Sequence, residues 1–264
     1  MRNKKLKHLS PRGQGPKHKS TDHWLYGTHA VSAVLGNPKR QLIKAICTPK
    51  TEALLSTLIQ SAKHPLQKDC VTIDVFKDLF GPGAVHQEIA VLTKPLNHPD
   101  FSSWLKGIRN NTSSVVLILD SITDPQNVGA IIRSAVAFGV DGLIVHKHNA
   151  PQETATMVKV ASGGYEHIPI LSVPNISDAL KVLKEEGYWT YGMTEHTDSL
   201  LSTVALDQKC VFVMGAEGTG MRPLVAKNCD VLAKLPTRPP ILSLNVGQAT
   251  TLCLYEYVRQ HPIV

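Results

Sequence analysis

Apolar residues follow two different periods along this chain. In the first part, Thr28–Leu35 carries them at helical spacing and stops at Gly36-Asn37-Pro38. Leu42–Cys47 reads as a strand, Glu52–Ala62 as an amphipathic helix and Val71–Val75 as a second strand. A short helix is expected over Phe76–Phe80, ahead of Gly81-Pro82-Gly83, and a last strand over Glu88–Leu92. Residues 23–95 thus form a small α/β unit. Residues 96–113 are polar with scattered apolar positions and a short helix around Trp104, and read as a linker.

From residue 114 the pattern changes to buried strands alternating with helices. Val115–Leu119 is an unbroken apolar run bounded by Asp120, the signature of a strand covered on both faces. Asp124-Pro125 starts a turn, Asn127 is a cap for a helix running to Phe138, and Gly139 ends that helix. Strands at Gly142–Val145, Ile168–Leu171, Tyr188–Tyr191, Cys210–Met214 and Val231–Leu235 alternate with helices at Gln152–Ala161 and Ser177–Glu186. Such alternation predicts an α/β fold with a parallel sheet and helices on both faces. The final helix, Asn245–Gln260, places Val246, Ala249, Cys253 and Tyr257 on one stripe and Leu252, Leu254, Tyr255 and Val258 on others. Two apolar sides need two covers, one the chain's own sheet and the other a second subunit.

Charge sharpens the reading at one end only. Residues 1–20 hold seven Lys or Arg and no acid, so the whole formal excess of +7 sits there. Residues 1–22 read as a disordered basic tail, either solubilising or gripping RNA phosphates. The remaining 21 basic and 21 acidic residues balance. No apolar run approaches membrane-span length, and the first residues lack the apolar stretch of a secretory signal. Five cysteines with no C-x-x-C pair argue against a zinc site or a disulfide framework and for the cytoplasm.

The chemistry-bearing residues gather in three short stretches. The strand at Cys210–Met214 runs into Gly215-Ala216-Glu217-Gly218-Thr219-Gly220, which has neither the dinucleotide nor the P-loop spacing. Val231–Leu235 stops at Pro236, and Ser243-Leu244-Asn245-Val246 starts the last helix. Two strand ends and a helix start converge, the crevice where open α/β sheets bind ligands. With Asn127-x-Gly129-x3-Arg133 they make a set that resembles the three motifs of the SpoU/TrmH group of RNA ribose 2′-O-methyltransferases, in the SPOUT superfamily. Trp24-Leu25-Tyr26-Gly27-Thr28-His29-Ala30-Val31 and His86-Gln87-Glu88-Ile89 are similar to the L30e-like substrate-binding domain of the ribosomal-RNA guanosine methyltransferases. His29 and His86 serve there either in turns and caps or in RNA contact.

The resemblance implies a deep trefoil knot formed by the chain after about residue 210, a homodimer, and S-adenosylmethionine as methyl donor. It places Gly215, Leu235 and Leu244 against the donor, supported by Gly218, Pro236 and Ser243. It makes Arg133, Asn127, Glu217 and Asn245 the catalytic set, with no metal. A guanidinium is a poor base, so Arg133 is expected to bind the target phosphate and stabilise the developing alkoxide. Its alternative is a structural ion pair, since its helix neighbours Ala130, Ile131, Ile132 and Ala135 are apolar. Asn127 either holds the ribose or caps its helix. Gly247 stands where the family usually has Ser, which weakens the first helical turn. The expected activity is ribose 2′-O-methylation of a guanosine in large-subunit ribosomal RNA. A tRNA methyltransferase and a non-catalytic ribosome-assembly factor are the alternatives, while an NAD enzyme fails for want of G-x-G-x-x-G.

Overall fold

A computed structural model describes residues 22–62 and 65–262; the basic tail falls outside the described residues except for Asp22. Among the described residues the chain forms two sheets. The first is built from β1 (His23–Tyr26), β2 (Leu42–Cys47), β3 (Lys68–Cys70) and β4 (Ile89–Thr93), in the order β1-β4-β2-β3. Its helices are α1 (Thr28–Gly36), α2 (Glu52–Ala62) and α3 (Ile73–Phe80). The expected strand over Val71–Val75 is not there. Thr72 is extended at the start of α3, and Ile73, Phe76 and Phe80 follow helical spacing, with Phe76 fully buried. Helical periodicity wins over a five-residue β pattern because it buries that ring. β1 is an addition; its residues are too few to show a period.

The segment after β4 is more structured than its composition suggests. α4 (Phe101–Ile108) is capped by Asp100, whose carboxylate accepts from Ser103 N at 2.9 Å. Trp104 is buried and donates its indole N–H to Asp141 O at 3.0 Å, satisfying the ring's single donor.

The second sheet takes β5 (Ser114–Asp120), β6 (Gly142–His146), β7 (Ile170–Val173), β8 (Trp189–Met193), β9 (Lys209–Gly215) and β10 (Val231–Ala233) in the order β10-β8-β9-β5-β6-β7. Every neighbouring pair is parallel. Five helices complete this half: α5 (Pro125–Ala137), α6 (Ala155–Val160), α7 (Ile176–Glu185), α8 (Pro223–Lys227) and α9 (Val246–Gln260). Side-chain alternation along β5 explains its continuous apolar run. Val115, Leu117 and Leu119 face a core with α5, α6 and α9, while Val116 and Ile118 face one with α4, α7 and α8. Register then pairs Asp120 with Gly215, so two central strands release their loops at the same edge.

The first of those cores does not stop at the second sheet. It continues through Leu25, Val31, Val34 and Leu35, so the halves share one apolar interior. A buried charge cluster fastens the same boundary. The Arg40 guanidinium has no exposed surface and lies 2.6 Å from both Glu153 Oε1 and Glu166 Oε1. It also donates to Lys94 O at 3.1 Å. Asn37 donates to Glu166 Oε2 at 2.7 Å, and His23 Nε2 sits 3.1 Å from Glu153 Oε1. Glu153 and Glu166 belong to the second half, and their partners Asn37 and Arg40 to the first.

Candidate active site

Helix α5 starts at Pro125, and its cap is Asp124, which accepts from Asn127 N at 3.1 Å and Gln126 N at 3.4 Å. Asn127 is therefore not the cap that its position predicts. Proline at the first helical position takes over the start, leaving the Asn127 amide free for other partners. Those partners come from the two other motifs. Asn245 donates through Nδ2 to Asn127 Oδ1 at 2.8 Å and to Glu217 Oε1 at 2.9 Å. Val246 N donates to the same carboxylate oxygen at 3.1 Å, and Asn127 Nδ2 reaches it at 3.4 Å. One oxygen thus collects donors from the starts of α5 and α9. Asn245 also caps α9, accepting from Gly247 N at 3.0 Å, so Gly247 leaves that cap intact. Further along, Ser134 Oγ and Thr251 Oγ1, 2.7 Å apart, hold α5 against α9.

The loop carrying Glu217 is a tight return. Ala216 and Gly220 exchange backbone hydrogen bonds at 3.2 and 2.8 Å, with Gly218 at the tip. Gly215 sits beneath it, and a Cβ there would lie 2.3 Å from Gly220 C and 2.4 Å from Met221 N. The glycine is required by the loop's own backbone, before any ligand is considered. Gly215→Ala should therefore prise the loop open and weaken, by about tenfold or more, binding of the S-adenosylmethionine that the resemblance implies there. Calorimetry with S-adenosylmethionine measures this, and unchanged affinity would show that the loop is not part of the donor site. Below the loop, Asp120 is wholly buried and accepts from Arg222 N and Nε, both at 2.7 Å, fixing the start of α8.

Leu235 and Leu244 are half-buried, whereas Pro236 and Ser243 are exposed. Thr237 ties their two segments together, donating through N to Leu235 O at 2.8 Å and through Oγ1 to Leu242 O at 2.7 Å. The two segments are thereby held together, with Leu235 and Leu244 half-buried beside exposed residues, where the resemblance implies a nucleoside held by main-chain groups. These residues fit an adenosine-bearing donor. Thiol chemistry is not on offer nearby: burial pushes the Cys229 thiol up to about 12 and raises Cys210 and Cys253 as well.

Arg133 does not join the cluster. It lies about 9 Å along the α5 axis from Asn127 and roughly 120° around it. The guanidinium is exposed and makes no hydrogen bond or ion pair among the described residues, so the alternative of a structural ion pair is not what the structure shows. It lines a cleft of about 580 Å³ with His29, Ala33, Val136, Ala137, Ala161, Ser162, Gly163, Gly164 and His167. His29 is exposed there and takes no capping role: Thr28 N is bound instead by Gln87 Oε1 at 2.9 Å. His86 follows the turn reading. Its Nδ1 accepts from Glu88 N at 3.0 Å, and its ring stacks on Phe76. No sequence signal marked His167 or the turn at 162–164.

Known proteins resemble this chain along most of its length. Residues 114–255 match the family described as SpoU rRNA Methylase, and residues 24–99 match RNA 2′-O ribose methyltransferase substrate binding. The chain is 37% identical over 241 residues to the 23S rRNA (guanosine-2′-O-)-methyltransferase RlmB of Escherichia coli K12, covering 89% of this chain and 98% of that one. It is equally similar to an uncharacterized tRNA/rRNA methyltransferase of Synechocystis, of which it covers 62%. Among solved structures, the SpoU methyltransferase AviRb of Streptomyces viridochromogenes with AdoMet superposes with a TM-score of 0.76 at 22% identity, over 91% of each chain. An AdoMet-bound rRNA methyltransferase from Sinorhizobium meliloti gives 0.73 at 20% identity, over 92% and 89%. With its three motifs converging on Glu217 and both family segments present in order, this chain belongs to the SpoU/TrmH family of RNA ribose 2′-O-methyltransferases.

Proposed function

We infer that this protein methylates the ribose 2′-hydroxyl of a guanosine in 23S ribosomal RNA, using S-adenosylmethionine. The observation that carries the reading is the convergence of three distant segments on Glu217 Oε1, in a chain 37% identical to RlmB along most of both lengths. S-adenosylmethionine supplies the methyl group when bound. Gly215, Gly218, Leu235, Pro236, Ser243 and Leu244 border the crevice that would hold it. Glu217 fixes that crevice by locking Asn127 to Asn245, which keeps the starts of α5 and α9 at one distance. Asn127 faces the ribose, and Arg133 holds the RNA through a phosphate. The transfer is a displacement between two held groups, so positioning supplies much of its rate. The 2′-hydroxyl must lose its proton as it attacks, and Arg133, charged throughout, acts as a charge stabiliser rather than as the base.

We divide the chain into a substrate-binding unit at 23–95, a connector at 96–113 and a transfer unit at 114–264, working in the cytoplasm on RNA. The placement of β9 between β8 and β5, with α9 packed back on α5, supports a threaded carboxy-terminal segment. Leu252 and Tyr255 leave α9 44% and 55% exposed, which supports pairing of two copies there. Sedimentation should find a dimer that Leu252→Glu with Tyr255→Glu converts to monomer; a monomeric parent would rule the pairing out. The function itself is tested by incubating the protein with tritiated donor and 23S ribosomal RNA fragments, then mapping the modified ribose. Label confined to one guanosine is the expected result. Donor and RNA binding without transfer would make the chain an assembly factor instead.

A further inference from the structure

The cleft around Arg133 is built by both halves of the molecule. From the first half α1 contributes His29 and Ala33; from the second come Arg133, Val136 and Ala137 of α5 and the turn ending at His167. Its lining contains one guanidinium, two imidazoles and a hydroxyl, and no carboxylate. Every polar side chain lining it can donate a hydrogen bond, which suits an acceptor-rich anion, whereas a donor-rich or cationic ligand would call for carboxylates. The nearest acid in sequence, Glu166, is turned away and consumed by Arg40 and Asn37.

Backbone shape sets the width of this cleft. Ser162 and Gly163 both have positive φ, 50° and 90°. Such conformations in a non-glycine residue persist where the surroundings enforce them, and they concentrate at binding sites. The turn is pressed between the two helices: a Cβ on Gly163 would lie 2.9 Å from Ala33 Cβ, and one on Gly164 3.6 Å from Arg133 Cα. A bulkier turn would force α1 away from α5. Gly163 therefore sets how closely α1 approaches the turn beside α5, while Gly164 leaves ordinary van der Waals room.

We propose that this cleft seats a phosphodiester of the RNA strand, with His29 and His167 donating hydrogen bonds to the phosphate that Arg133 holds. The proposal rests on the reading of the chain as an RNA methyltransferase and assigns two substrate-binding residues to it. A cleft whose polar side chains can all donate suits a phosphate, and phosphate contacts fix register without reading sequence. Because one anchor comes from each half, the seat fixes where the strand enters relative to the donor crevice.

The test separates RNA binding from transfer. Filter binding of 23S ribosomal RNA fragments is measured without donor, and KM and kcat are measured with it, for His29→Ala, His167→Ala and the corresponding Gln variants. Each Ala variant should bind RNA about tenfold more weakly, the loss of one hydrogen bond to a charged acceptor, and should raise KM with kcat nearly held. The Gln variants keep an N–H donor and should restore most of the affinity. Donor calorimetry should be unchanged in all four, which also checks that they fold. Parent-like RNA affinity in both Ala variants would overturn the seat, whatever happens to transfer. His-dependent RNA binding in a parent that transfers no methyl group would leave the seat standing and remove the methyltransferase reading.

Discussion

Arg133→Ala is expected to transfer methyl groups to ribosomal RNA about 100-fold more slowly than the parent, while binding S-adenosylmethionine unchanged. The separation of the two effects follows from position. Arg133 lies about 9 Å along α5 from Asn127 and roughly 120° around it, and among the described residues it makes no hydrogen bond to those proposed to border the donor crevice. Removing it takes an unpaired guanidinium from an acid-free cleft, so the fold loses no ion pair among the described residues. Arg133→Lys should recover little, because an ammonium cannot reproduce the two-pronged grip of a guanidinium on phosphate. Tritium transfer run beside donor calorimetry measures both quantities. Parent-like transfer by Arg133→Ala would remove Arg133 from the chemistry.

Arg40→Ala is expected to destabilise the protein by about 3–5 kcal/mol, the range for deleting one partner of a buried ion pair. It strands two carboxylates, Glu166 with no exposed side-chain surface and Glu153 with 5%. Urea denaturation of parent and variant measures the difference, and a loss below about 1 kcal/mol, the range of exposed pairs, would contradict the burial. Acid gives a second handle. Burial alone would raise the Glu153 carboxyl, yet hydrogen bonds from His23 and Arg40 hold it below the usual glutamate range. A carboxyl more acidic folded than unfolded adds stability above its ordinary pKa of about 4.3 and loses it on acidification. The parent should weaken below that pH. The variant, whose stranded carboxylates gain from protonation, should close the gap.

The central strands were legible in the sequence because a parallel sheet covered on both faces leaves unbroken apolar runs, as in Val115–Leu119 and Cys210–Met214. The last helix was legible from Asn245, a side chain whose capping bond is local. What escaped depended on partners far along the chain. Arg40 gives no sign in sequence of Glu166, 126 residues on, and so no sign that the halves are ionically locked. Asn127 was a sound cap by composition, but Asp124-Pro125 supplies a better one three residues earlier. The resemblance placed Gly215 against the donor, but the crowding that demands a glycine there comes from its own loop, which no sequence pattern displays. Val71–Val75 shows the limit of short windows: five residues fit either period, and burial of Phe76 decides.

The shared interior and the Arg40 cluster turn the molecule into a caliper. In the proposed reading the cleft that both halves build grips the strand at a fixed distance from the crevice that delivers the methyl group. Selection of a nucleotide then becomes a matter of length measured along RNA rather than of letters read from it. An enzyme built this way would tolerate base changes beside its target better than the insertion or loss of a single nucleotide between grip and target.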